Sequence, residues 1–210
     1  MAESKKLGHD DSSGFEFVKS MLGDNVTAAI NFDRLQKHPT EGYIIFELLK
    51  CEDSQSVTPY TSHPNKYWNK NSRKFLSLWR AKQDLNAKLY LVNYAEAETA
   101  HADKVLLIEV LDIDENGIIS EKKTKHTRKS FSSWFIDLNN QCLEPQKSLV
   151  ADIYKNKSAD ELGKLKLIRG KYSGKTISEI YMTDLSYLDW YSEQDLSYSE
   201  AIRQYLKKIK

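Results

Sequence analysis

Long apolar runs are missing from this 210-residue chain. No window approaches the roughly 18 apolar residues of a membrane span, and the opening MAESKKLGHDDSSG has no apolar signal core. Neither export nor a membrane partner is expected, and a cytoplasmic place is. Cysteine is scarce: Cys51 and Cys142 stand far apart, with no second cysteine at ligand or redox spacing. That speaks against a disulfide framework or a zinc site and for a reducing compartment. A glycine-rich loop for cradling phosphates is absent, which argues against nucleotide-driven work. No Ser/His/Asp or Cys/His set falls at a spacing that suggests a nucleophilic side chain. Charge of one sign is missing too: 31 Lys+Arg against 30 Asp+Glu leave +1. Only local clusters can therefore point to a polyanion.

What is present forms a core. Hydrophobic residues make up 40% and aromatic residues 11%, including 4 Trp and 12 Tyr, enough to exclude wholesale disorder. After a loose polar terminus (1–12), Phe15, Val18, Met21 and Leu22 repeat at helical spacing until Gly23. Extended runs follow over Val26–Leu35 and Tyr43–Cys51, joined by the turn KHPTEG. The second, YIIFELLKC, is apolar enough to be covered on both faces, yet carries Glu47 in its middle. The spacing then predicts an amphipathic helix over KYWNKNSRKFLSLWRAKQDL with Arg73 and Lys74 outward, and strands KLYLVNYA and KVLLIEVLDID. A hairpin through Glu115-Asn116-Gly117 into IIS and a helix over HTRKSFSSWFIDLNN complete the first part. The order implies an α/β (α+β) core, a mixed sheet flanked by helices, over 13–145. A linker over 146–161 and a small module over 162–210 follow.

Asp33 near the end of the first run and Glu47 in the second can converge on one face if the runs pair antiparallel. Two close carboxylates repel and call for a counter-ion, and hard oxygen ligands suit Mg²⁺ (or Mn²⁺). The acid, a second acid about a dozen residues on, and Lys50 just past it resemble the PD-(D/E)xK nuclease superfamily. So do the basic helix and the strand that follow, and the resemblance covers about residues 12–95. It implies a restriction-endonuclease-like fold, metal ligands Asp33, Glu47 and the helical Glu16, and catalytic Asp33, Glu47 and Lys50. The family pattern places its lysine where this chain has Leu49. Period-2 alternation turns Lys50 to the opposite face unless a bulge intervenes, and Lys74 or Lys70 on the next helix can take its place.

Two basic clusters are candidate nucleic-acid contacts. The run KKTKHTRK holds Lys122, Lys123, Lys125, Arg128 and Lys129 with no acid, though a solvated loop explains it equally. In the last module Lys164, Lys166, Arg169, Lys171 and Lys175 surround two glycines, again without an acid. The loop TSHPNKYW, with His63 and Trp68, reads either as a groove lining or as an ordered loop held by its own side chains. Gly170, Lys171, Tyr172, Gly174, Lys175, Thr176 and Ile180, with Asp184, Tyr187, Leu188 and Trp190, resemble the small carboxy-terminal domain of exodeoxyribonuclease X-type proteins (about 162–196). That resemblance implies a short hairpin followed by helices and an association with nucleic acid, more than catalysis.

Three function classes follow. The first is a metal-dependent nuclease of a bacterium, phage or mobile element, acting on nucleic acid, with DNA favoured. The second is a non-catalytic nucleic-acid-binding accessory on the same fold. The third is a protein-interaction factor or inhibitor, with a homodimer or protein partner.

Overall fold

The structure, a computed structural model, describes residues 13–25, 28–52, 54, 56–144 and 146–209; the terminus expected to be loose lies outside them. The chain divides between Leu143 and Glu144 into two compact units.

In the first unit, helix α1 (Ser13–Leu22) precedes strands β1 (Arg34–His38) and β2 (Gly42–Lys50), helix α2 (Trp68–Asp84) and strand β3 (Lys88–Tyr94). Strands β4 (Lys104–Asp114) and β5 (Gly117–Thr127) and helix α3 (Arg128–Gln141) follow. The five strands lie in the order β1-β2-β3-β4-β5. All neighbours are antiparallel except β2 and β3, which are parallel and joined through α2. A parallel pair needs such a crossover because its ends lie at opposite edges of the sheet. The mixed sheet flanked by helices is therefore as expected.

Alternation along each strand sends side chains to two cores. Ile45, Leu89, Leu91, Leu106 and Ile108 pack against Trp68, Phe75 and Leu78 of α2. Ile44, Phe46, Val92, Val105 and Leu107 pack against Phe131, Trp134, Phe135 and Leu138 of α3. Strand β2 is buried on both faces, which is why its sequence is nearly unbroken apolar.

Two strands differ from expectation. Among the described residues, the extended run expected over Val26–Leu35 is a strand only from Arg34, and it continues to His38 inside the stretch taken as a turn. The His38 imidazole explains this: its Nδ1 accepts from the Thr40 and Glu41 amides at 3.3 and 3.1 Å. The side chain builds the turn itself, and Gly42 at φ +77° closes it. Strand β5 runs seven residues past the expected IIS, so the basic run up to Thr127 is strand rather than loop. Its polar residues are held by the ladder to apolar β4, from Asp114↔Gly117 to Lys104↔Thr127.

The second unit is helical. The stretch expected to be a linker (146–161) carries α4 (Gln146–Lys155) and most of α5 (Ala159–Gly163), which both pack on α8 (Ser199–Ile209). Helices α6 (Ile177–Thr183) and α7 (Leu185–Glu193) complete it. Leu162, Leu167, Ile177, Ile180, Leu188 and Ile202 are at most 1% exposed, and each such burial contributes roughly 1.5–3 kcal/mol. The expected hairpin is reduced to one bridge, Lys166↔Thr176. Across it the Leu167 amide donates to the Lys175 carbonyl at 2.9 Å and that of Gly174 to the Leu167 carbonyl at 2.7 Å. No helix among the described residues is long and apolar enough to cross a membrane.

Candidate functional site

The β1–β2 register brings two acids together. Arg34 pairs with Phe46, so Asp33, one residue earlier, lies opposite Glu47. The Asp33 amide donates to the Phe46 carbonyl at 3.1 Å, and its Oδ2 accepts from the Leu48 amide at 2.6 Å. Glu47 shares the face of Ile45 and Leu49, turned to α2. There the Lys74 ammonium pairs with its Oε1. Glu47 is only 3% exposed, and its Oε2 is buried without a hydrogen-bond partner among the described residues. Burial pushes its carboxyl above the usual range, Lys74 pulls it back, and the Asp33 charge adds to the rise. The result is an acid pair with one ammonium and one unsatisfied oxygen.

Lys50 and Glu16 are not part of it. Lys50 sits three residues past Glu47 with no bulge, so it points to the other face, as alternation requires. It pairs there with Glu52 at 2.8 Å and Glu96 at 3.0 Å, and these bonds hold its ammonium well above the usual lysine range. Glu16 is exposed on α1 beside Lys19, 4.0 Å away. No group of three or more His, Cys, Asp or Glu converges on a metal-sized point among the described residues. Of the three lysines open in the sequence, Lys74 is the one the fold delivers.

The basic run is largely engaged within the fold. Lys122 pairs with Glu109 at 3.6 Å, Lys123 with Glu121 at 2.5 Å, and Lys125 lies 5.3 Å over the Tyr60 ring. Arg128 is a structural clamp rather than a surface contact. Its Nε donates to the Ala102 carbonyl at 2.8 Å, its Nη2 donates to the Ala95 carbonyl, and its own amide meets Asp103 at 3.1 Å. Lys129 lines a shallow depression with Ser130, Ser133, Trp134 and Asp137. Arg73 is exposed on α2.

The TSHPNKYW loop is held by its own side chains. His63 caps the turn after it and bonds Glu121 at 2.7 Å, Asn65 bonds Ile118 through both amide atoms, and Trp68 donates to the Glu115 carbonyl at 2.8 Å. Sequence reasoning passed over Asn93 on β3, which secures this loop from below. Its Nδ2 donates to the Pro59 and Ser62 carbonyls at 3.2 and 2.8 Å, while Oδ1 has no partner among the described residues. Its one signal is an amide inside the apolar run KLYLVNY.

In the second unit Asp184 is the hub. Its carboxylate accepts from Ser186 Oγ at 2.8 Å, Lys171 Nζ at 3.0 Å, Tyr172 Oη at 2.9 Å and the Tyr187 amide at 3.1 Å. These bonds, that from Ser186 foremost, hold it well below the usual carboxylate range. Gly170, at φ +89°, lies against the Tyr187 hydroxyl, which a Cβ there would meet at 2.5 Å. Thr176 and Glu179 cap α6 reciprocally.

Residues 170–195 match the family model for the exodeoxyribonuclease X-like C-terminal domain. The matched string therefore has a structural account: glycines for the loop, Lys171 and Tyr172 for Asp184, and Ile180 and Leu188 for the core. Comparison with the curated proteins and with the solved structures gives no significant match. Gly170→Ala is expected to destabilise this unit by about 1–3 kcal/mol, since it adds a left-handed-region strain to a clash with a packed tyrosine; a shifted urea midpoint checks it.

Proposed function

We propose that the chain acts on nucleic acid, and that its first unit is a metal-dependent phosphodiesterase centred on Asp33, Glu47 and Lys74. The observation that carries this is the buried, unpartnered Glu47 Oε2 beside a second carboxylate and under a lysine. An orphaned carboxylate oxygen inside an otherwise apolar layer costs several kcal/mol without a compensating ligand, and a fold retains such a group where it has a use.

The residues fit a hard divalent cation. Asp33 and Glu47 offer only oxygens, and Mg²⁺ is commonly held by one or two carboxylates together with substrate phosphates. Bound there, Mg²⁺ (or Mn²⁺) would lower the pKa of water and neutralise charge on phosphate oxygens. The chain supplies the rest. The Leu48 amide fixes Asp33. Lys74, whose side chain is 45% exposed, reaches from solvent to the acid pair and can turn its ammonium to a phosphate oxygen as charge develops. The resemblance of residues 170–195 to the exodeoxyribonuclease X-like C-terminal domain supports nucleic acid as the substrate class, and DNA is the form we propose.

The test is incubation of the full chain with labelled single- and double-stranded DNA and RNA in Mg²⁺, Mn²⁺ or EDTA, beside Lys74→Met and Lys50→Met. Cleavage with either cation, lowered about a hundredfold or more by Lys74→Met and unchanged by Lys50→Met, is expected. No cleavage by the wild-type chain, but salt-sensitive retention of nucleic acid, would favour a binding protein on the same fold. The lack of a third acid in the cluster among the described residues is the observation on that side.

A further inference from the structure

Much of the matched string is used by the fold of the second unit, but Trp190 stands largely outside it. It is 51% exposed on α7, although an indole is the largest apolar side chain the helix could bury. The ring is nonetheless rigidly backed. Tyr187 lies 5.6 Å from it and Tyr191 6.1 Å, the latter edge to face. Tyr187 is itself fixed against the backbone of Gly170 and the ring of Tyr172. What stands half-exposed is therefore an indole packed on Tyr187 and Tyr191, with Tyr172 behind Tyr187.

Positive charge lies on the loop before α6. Arg169 is exposed and near enough to Tyr191 for its charge to be felt at that phenol. Lys166 and Lys175 flank the same loop, both exposed. Asp189 and Glu193 lie next to Trp190 on α7, exposed and of opposite sign. They disfavour a duplex backbone laid along the helix, but leave room for one base approached from the Arg169 side.

We propose that Trp190, backed by Tyr187 and Tyr191, is a stacking platform for an unpaired base of single-stranded nucleic acid, with Arg169 and its flanking lysines receiving the adjoining phosphates. Only an unpaired or terminal base offers a free π-face, and an aromatic platform beside a basic loop is the combination that recognises it. The proposal rests on nucleic acid being the ligand of this chain and adds the strand form that it takes.

The experiment measures fluorescence anisotropy of a labelled oligothymidylate and of a hairpin-capped duplex, in EDTA, with the full chain and its Trp190→Ala, Trp190→Phe and Arg169→Ala variants. Trp190→Ala is expected to weaken single-strand binding roughly 5- to 150-fold, the worth of one stacked base, and to leave duplex binding unchanged. Trp190→Phe should retain most of the affinity, and Arg169→Ala should lower the salt dependence by about one phosphate contact. Equal single-strand affinity of the wild type and Trp190→Ala overturns the platform, as does a wild type that retains no single strand. Because EDTA removes cleavage from the readout, the two readings fail separately. A Trp190 effect without metal-dependent cleavage sinks the phosphodiesterase alone, and cleavage without a Trp190 effect sinks the platform alone.

Discussion

Glu47→Gln is expected to lower metal-dependent cleavage by about a hundred- to a thousandfold, while the melting temperature at pH 7 stays level or rises. The amide keeps the shape of the buried side chain and removes the charge that burial disfavours. The pH behaviour follows from the raised carboxyl of Glu47. In the folded chain this group holds its proton to a higher pH than in the unfolded chain. Between its ordinary value of 4.5 and the raised one, the native state therefore binds more protons, and stability falls as pH rises through that window. Cleavage runs the opposite way, because a carboxylate must be deprotonated to hold a cation. The wild type should thus gain activity and lose stability over one interval, and the glutamine variant should show neither slope in that interval. Thermal melts and initial cleavage rates at stepped pH values measure both. A Glu47→Gln variant that cleaves at the wild-type rate would remove the site altogether.

Phe46→Ala should cost about 3–5 kcal/mol and should loosen α3 more than any other element. Phe46 is fully buried at the centre of an aromatic cluster. It stacks on Tyr90 at 5.4 Å and meets Phe135 and Trp134 edge-on at 5.4 and 6.3 Å. None of the residues of α3 is itself fully buried, so the helix is held by partial contacts, and two of its rings meet on this one. Remove it and Trp134 and Phe135 lose their shared neighbour. The cavity has no second layer to collapse from that side. The near-UV signal of Trp134 and the hydrogen-exchange protection of 128–141 should fall together, with β2–β3 protection kept. A loss below about 1 kcal/mol would mean that α3 is anchored elsewhere.

How much of this could be read from the residues alone depended on whether local pattern or tertiary contact decided each point. The two faces of β2 were legible, because period-2 alternation needs only the strand itself, and it turned Lys50 away from Glu47 without any structure. The pairing of Asp33 with Glu47 was legible from the short connection between two extended runs. Selecting Lys74 over Lys70 was not, since that depends on how α2 is rotated over the sheet. Strand β5 was hidden because KKTKHT has the composition of a solvated loop and becomes a strand only through β4. The helices α4 and α5 were hidden for a like reason: their weak apolar stripes gain definition only where α8 covers them. Asp184 was quoted as part of a string, but its four hydrogen bonds required the loop and α7 to be brought together in space.

The eleven-residue strand β5 ends the sheet among the described residues, so one whole row of its backbone amides and carbonyls has no neighbouring strand. Asn65 covers that edge at Ile118 and Tyr60 meets the His126 carbonyl, and the stretch between them is a template on which a second copy could zip up. Lys122, Lys123 and Lys125 stand along it, exposed, and two such edges brought together would set ammonium against ammonium at strand spacing. On this argument the basic run would guard the chain against polymerising with itself, and replacing those lysines by valine is expected to raise its tendency to precipitate as it is concentrated.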